Sequence, residues 1–536
     1  MSTRSYVIAA LLAYAVAFLL AAIAATAAFA NDAPAPDIVL HGTLSGTDHQ
    51  TWHLVPFEVP PGTTRITVNF DYTTREARTT IDLGIAGPGG FRGWSGGNKR
   101  SFTLSATDAT PSYLPGAIQA GQWNLLLGIP NIRQSTQAEY TAHVRLEHGG
   151  SQSAADSATP ADPVLRSQPG WYRGDLHMHT AHSDGTCLSQ QSRRVPCPVF
   201  LTAKTASERG LDFIAITDHN TVAQADAIRE LQPYFDNLLL IPGREITTFE
   251  GHANLFGTLA PVDFRVGSEA VPDWNALLAQ VAPTGGVISI NHPIRPSGEE
   301  CMGCGWTPRG RVDYTRVHAI EVVNGLDADT PFSGIGFWQG LLNQGYKLTA
   351  VGGSDNHDAL RPAVNVAELR QPGDAQSVSP ETLAQLKANS GAIGTPTTVI
   401  YADELSAAGI VAAIRRGRVC IDVAGTGDRL LDISATAGSE VAHMGDTLKA
   451  ARGASIHFEA TVRGVTVGKV EPVVDGQPLT GLKNPGITAE KNSFSFSWRA
   501  DGKPHWVRVD IRDAAGHLVL VGNPVYLSRA NKTSVQ

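Results

Sequence analysis

The sequence predicts an α/β protein flanked by two β domains, and three observations carry that prediction. From about residue 170 to 422, short apolar runs alternate with helical stretches such as Val199 to Arg209, Ala223 to Leu231 and Trp274 to Val281. That β-α-β-α alternation implies a parallel array with helices outside. On either side of it apolar and polar residues alternate with period two, as in half-buried strands. The chain also carries 54 Gly and 32 Pro in 536 residues, which supply the many turns that β structure needs. A single core does not grow to this length, so three or four domains are expected.

Taken in order, the first thirty residues read as a targeting segment. Arg4 precedes an Ala-rich apolar run from about Tyr6 to Ala25, and Ala28-Phe29-Ala30 offers a small-x-small cleavage pattern. A cleaved signal peptide and an uncleaved anchor both fit, and either places the remainder outside the cytoplasm, periplasmic or secreted. Residues 37–148 read as a small β-sandwich, because Ile66, Val68, Phe70 and Tyr72 alternate, as do Ile81, Leu83 and Ile85 before Gly-Pro-Gly-Gly at 87 to 90. Residues 149–169, rich in Ser, Ala, Asp, Pro and Gly, read as a linker. Residues 430–530 read as an Ig-like sandwich from Ile456, Phe458, Ala460 and Val462, then Phe494, Phe496 and Trp498, then Val507, Val509 and Ile511.

Composition narrows the function classes. Hydrophobic residues make up 42 % and charged ones 17 %, a globular balance rather than a disordered one. A formal charge of -8 gives no general attraction to a phosphate backbone, so no stable nucleic-acid complex is expected. A small anionic or ester substrate held by metal ions remains compatible with that charge. Four of the five cysteines form local pairs, Cys187 with Cys197 and Cys301 with Cys304. In an oxidising compartment two disulfides are the default, with a four-thiolate zinc site or a redox pair as alternatives. Cys420 is left over as a buried thiol.

The chemistry concentrates in the middle segment. Asp175-Leu176-His177-Met178-His179 sets two imidazoles two apart, on one side of a strand, with Asp184 following in a turn. Phe213 to Ile216 ends in Thr217-Asp218-His219, and Leu238 to Pro242 leads to Gly243-Arg244-Glu245, with His252 seven residues on. Val287 to Ile290 ends in Asn291-His292-Pro293, and Ala350 to Gly353 leads to Ser354-Asp355-Asn356-His357. Each piece alone has a bland explanation, such as a helix N-cap at Asp218. Together they put ligand-capable side chains at the same end of successive strands, where α/β folds carry their sites.

The order and spacing of these motifs resemble the PHP (polymerase and histidinol phosphatase) superfamily. The flanking β domains and the stretch Ala392 to Thr397 make the chain look most like its CehA/McbA-type metallohydrolase branch. The resemblance spans roughly Trp171 to Cys420. It implies a distorted (β/α)7 barrel holding two or three divalent ions. It implies His177, His179, Glu245 and Asp355 at a first site, Asp184 and His219 at a second with Glu245 bridging, and His252, His292 and His357 at a third. Asp218 would orient a ligand by hydrogen bond. Mixed nitrogen and oxygen ligands suit Zn, Mn or Fe.

Such ions lower the pKa of bound water and neutralise charge on a substrate oxygen, which favours phosphomonoester or phosphodiester hydrolysis, nucleotides among the substrates. Glu245, Asp184 and Asp355 are then the catalytic carboxylates, and Arg295 and Arg244 the candidate phosphate clamps. Carboxyl or carbamate ester hydrolysis is the alternative chemistry. A non-catalytic surface protein, with Trp94 and Trp171 stacking on glycans, is the alternative class.

Overall fold

The structure, a computed structural model, describes residues 38–148, 163–299, 301–362, 391–482 and 485–529. The expected targeting segment at residues 1–30 and the first part of the expected linker lie outside the described residues. Among the described residues no helix is long and apolar enough to cross a membrane.

The N-terminal strands are β1 (Ile38–Ser45), β2 (Thr51–Val59), β3 (Thr63–Tyr72), β4 (Thr80–Gly87), β5 (Gly90–Gly96), β6 (Ser101–Ser105), β7 (Gly121–Asn131) and β8 (Gln137–His148). They form two four-stranded antiparallel sheets, ordered β1-β8-β3-β6 and β2-β7-β4-β5. Period-two alternation sends Ile66 and Val68 of β3 and Leu125 and Leu127 of β7 into one shared core.

In the middle segment follow β9 (Gly170–Asp175), a hairpin of β10 (Thr186–Leu188) and β11 (Arg194–Pro196), then β12 (Phe213–Ile216), β13 (Leu239–Thr248) and β14 (Gly251–Phe256). Next come β15 (Val287–Ile290), β16 (Ala319–Asn324), β17 (Thr349–Gly353), β18 (Thr397–Ala402) and β19 (Val419–Asp422). They pair in the order β17-β16-β15-β14-β13-β12-β9-β18-β19. Parallel pairing holds in two runs, β9-β12-β13 and β15-β16-β17, separated by β14, which is antiparallel to both its neighbours.

This corrects the expected fold class. Among the described residues the protein is mostly β, with strand outweighing helix by 45 % to 13 %, and a (β/α)7 barrel is not what they form. The middle sheet also does not end with its own segment. Beyond β19 it continues into the C-terminal strands Val467–Val474, His505–Arg512 and Leu518–Gly522, with Cys420 paired to Gly522. The reason for the misreading is physical. Fully buried runs such as Phe213–Ile216 show no alternation, so periodicity cannot separate a parallel neighbour from an antiparallel one. The link from β13 to β14 is a tight turn, which leaves no room for a crossover helix.

A second sheet, made of strands Glu440–His443, Leu430–Ala437, Ser455–Arg463 and Ser493–Arg499, closes the C-terminal core over Phe458, Val507 and Val509. The last residues of the expected linker are also tied down, since Leu405 N donates to Arg166 O at 2.7 Å and Leu165 N to Leu405 O at 2.9 Å. Half-buried Arg173 of β9 pairs with buried Asp422 of β19 at 2.6 Å, which fixes the sheet beneath the site.

Candidate metal centre

The strand ends converge. Beyond the regular pairing, Met178 bridges Asn356 and His219 bridges Glu245, both in parallel sense. The loops after β9, β12 and β17 are thereby drawn to one place beside the middle of β13. Asp175 anchors them, accepting from Ser354 N at 3.0 Å and Gly394 N at 2.7 Å. His292 and Asp355 sit at φ 26° and 53°, left-handed conformations that non-glycine residues adopt at a cost and that gather at functional sites.

Glu245 stands at the middle. Its Oε1 lies 3.3 Å from His177 Nε2, His252 Nδ1 and His292 Nε2. Its Oε2 lies 2.8 Å from His219 Nδ1 and 3.5 Å from His179 Nε2. Asp355 Oδ1 is 3.3 Å from both His177 Nε2 and His179 Nε2. On the more open side Asp184 Oδ1 lies 3.3 Å from His357 Nε2 and 3.7 Å from His219 Nε2. The two oxygens of Glu245 thus face two different sets of imidazoles.

The other nitrogens are mostly tied outward. His177 Nδ1 faces Glu321 Oε1 at 2.9 Å, His292 Nδ1 faces Cys304 O at 2.8 Å, His357 Nδ1 faces Asp355 O at 2.9 Å and His252 Nε2 faces Met302 O at 3.3 Å. Facing acceptors, those nitrogens carry the protons, so the remaining lone pairs point to the cluster. Asp218 accepts from Ser183 Oγ at 2.6 Å, and that hydroxyl lies 3.3 Å from His179 Nδ1, so the carboxylate orients His179 through Ser183.

Four groups of three or more side chains could hold a metal ion, each with its ligand atoms within 4.8 Å of one another. They are His179, Asp184, His219 and His357; His177, His179 and Asp355; His177, His292 and Glu321; and His252, His292 and Cys304, the last open to an ion through sulfur only if the Cys301–Cys304 disulfide is reduced. His177 Nε2, His179 Nε2, Asp184 Oδ1 and Glu245 Oε2 are buried without a hydrogen-bond partner among the described residues. Unpartnered buried atoms occur singly elsewhere in the protein, as at Thr202 and Trp274, but four that converge on one place fit a bound cation. The charges agree. Burial would raise Glu245, yet the imidazoles of His177, His219 and His252 hold its carboxyl well below the usual range. Burial would lower His219 and His357, but Glu245 with Asp184, and Asp184 with Asp355, push them up to about 9 and about 10. The carboxylates thus draw positive charge into the cluster.

Several expectations change. His357 joins Asp184 and His219, not His252 and His292, because the loop after β17 falls beside the loop after β9. Arg244 is no clamp: alternation along β13 turns it away from Glu245, and its guanidinium donates to Ala260 O at 2.6 Å. Burial lowers it to about 10. Arg295 does reach the cavity, donating to Asp327 at 3.0 Å and Asp355 at 3.4 Å.

Cys301 and Cys304 form a disulfide, whereas Cys187 and Cys197 are buried free thiols, as is Cys420. Cys187 pairs across the hairpin with Val195, leaving Cys197 diagonal to it. The four cysteines do not converge on a zinc ion, since Cys187 and Cys197 pack in a core with Val199 and Ala203. Trp94 is only 3 % exposed, and Trp171 packs on Tyr401, so neither is a free stacking platform.

Sequence reasoning missed Glu321 and Asn291, whose Nδ2 donates to Glu245 Oε1 at 2.8 Å. A carboxylate inside the buried run Ala319–Asn324 was the available signal for Glu321. It also missed the N-terminal sandwich, which walls the cavity with Trp52, Asp82, Trp94 and Asn98. No local pattern announces that wall.

No family model and no curated protein matches this chain. Among solved structures it is similar to PsfC from Pseudomonas syringae PB-5123, at 16 % identity and a TM-score of 0.26, over 46 % of this chain and 90 % of that one. A likeness that low carries no argument about either fold or function.

Proposed function

We propose that this chain is a metal-dependent hydrolase of the PHP kind, exported by its N-terminal segment, that cleaves small phosphoesters with two or three Zn, Mn or Fe ions. The observation that carries the proposal is the set of buried, unpartnered ligand atoms on His177, His179, Asp184 and Glu245, which cluster at the edge of a cavity of about 420 Å³ that Asp184 and Glu245 line. That volume suits a small molecule. His177, His179, Asp184, His219, Glu245, His252, His292, Asp355 and His357 would hold the ions, with Glu245 bridging. When bound, the ions would supply activation of water and neutralisation of charge on the phosphoryl oxygens.

The chain's own residues do the remaining work. Arg295 is placed to hold a phosphoryl oxygen through a charge-assisted bond, and its two aspartate neighbours keep it aligned. Glu321 and the carbonyls of Met302 and Cys304 hold the imidazole tautomers. Ser183 and Asp218 hold His179.

The test is direct. Purified protein, stripped with chelator and reloaded with Mn or Zn, is assayed on nitrophenyl phosphate, bis-nitrophenyl phosphate and naphthyl esters. Metal-restored phosphoester turnover is expected. Naphthyl ester turnover without phosphoester turnover would move the function to carboxyl ester hydrolysis, and chelator-insensitive turnover would refute the metal reading altogether.

A further inference from the structure

The N-terminal sandwich does not merely neighbour the metal ligands; it is locked against them. Trp52 stacks on Phe249 with ring centroids 4.5 Å apart and its indole donates to Val266 O at 3.1 Å. Lys99 Nζ donates to Ala181 O at 3.2 Å and Ser112 Oγ to His182 O at 2.6 Å, two carbonyls in the loop that follows His179. The sandwich wall therefore holds a defined position over the cavity.

Asp82 sits on that wall. Alternation along β4 sends Ile81 and Leu83 into the sandwich core and turns Asp82 to the opposite face, where it lines the cavity with Asp184, His219, Glu245, His252 and Arg295. It is the one ionisable side chain that the N-terminal domain contributes to the described lining. None of the described residues donates a hydrogen bond to its carboxyl. The other cavity acids differ in kind. Asp184, Glu245 and Asp355 are crowded by imidazoles and serve as ligands only when ionised, so they have no proton to give. Arg295 never deprotonates.

We propose that Asp82 is the general acid that protonates the leaving oxygen, so that the substrates are alkyl phosphomonoesters rather than esters of acidic phenols. The inference rests on the phosphoesterase reading above. A water forms the new bond to phosphorus, the bond from phosphorus to the leaving oxygen breaks, and the Asp82 carboxyl proton moves to that oxygen. The products are an alcohol and inorganic phosphate, and the proton lost by the attacking water reloads Asp82 through solvent. Burial, partly offset by His219, raises Asp82 to about 7, so its acid form persists near neutral pH. The negative charge of a bound phosphoester favours the same form, and the positive charge of bound ions opposes it.

An alkoxide needs that proton and a nitrophenolate does not, which makes the role measurable. Wild type and Asp82→Asn, both full length and Mn-loaded, are compared on glycerol phosphate and nitrophenyl phosphate. The ratio of kcat/KM for glycerol phosphate to that for nitrophenyl phosphate is expected to fall by about 10²- to 10⁴-fold in the variant, the range of a lost general acid. Asp82→Glu, which keeps a proton, is expected to recover part of the ratio. Metal content and melting temperature serve as controls for folding, with Asp82→Ser as the second variant if the amide misfolds. Equal losses on both esters, or no loss on either, would overturn the assignment. A metal-loaded wild type that cleaves neither ester would instead sink the phosphoesterase reading itself.

Discussion

Replacing Glu245 by Gln keeps the shape of the side chain and removes the charge that five imidazoles surround. Two unit charges 4 Å apart attract by about 4 kcal/mol at an effective dielectric of about 20, and a divalent ion doubles that to about 8. The carboxylate's own desolvation, several kcal/mol for a buried ion, disappears with it and leaves a net loss of roughly 4 kcal/mol. At about 1.4 kcal/mol per decade, ion affinity drops roughly a thousandfold.

Thermal melting reads this directly. At a free metal concentration about 100 times its Kd, wild type gains about 2.7 kcal/mol of stability, whereas at that same concentration the variant gains about 0.1. The metal-induced rise in Tm should therefore vanish in Glu245→Gln, and elemental analysis after dialysis should find the cluster depleted. A variant that keeps the wild-type metal content and the wild-type rise in Tm would refute the bridging role.

The Cys301–Cys304 loop holds both His252 and His292 through its carbonyls. The Cys301→Ser, Cys304→Ser double variant is expected to weaken metal binding at those two histidines by about 10- to 100-fold, the usual effect of losing an outer partner. Competition with a chelator of known affinity measures it, and unchanged affinity would show that the disulfide is irrelevant to the site. Metal binding should also release protons. With His219 and His357 raised to about 9 and about 10, both are protonated at pH 7, and ligation requires the neutral ring. Apparent affinity is therefore expected to rise with pH and to level off only above about pH 10. Calorimetry at pH 7 in buffers of different ionisation enthalpy reads the proton count, and a count of zero would contradict those raised values.

Much of the ligand set was legible because each piece is local. An apolar run followed by Asp-Leu-His-x-His, Asp-His, His-Pro or Asp-x-His places a polar side chain at a strand's end, where polar groups can meet, and Arg-Glu marks a carboxylate inside β13. Arg244 shows the limit. Its neighbour in sequence is the central carboxylate, yet pleating sends the two to opposite faces, and only the strand's register tells which faces inward. His357 shows another limit, since its partners depend on how the loop after β17 lies against the loop after β9.

What the chain's order of residues determined by itself was where strands end in ligand-capable side chains, and where period-two alternation forms sandwich sheets. These follow from interactions within a few residues, which composition and periodicity record. Only the tertiary structure decided the direction of β14, the continuation of the middle sheet through the strand Leu518–Gly522, the disulfide at Cys301 rather than Cys187, and the arrival of Asp82 over the proposed metal ligands. Each of those depends on contacts between residues far apart in the chain, and a buried strand carries no mark of which neighbour it will meet.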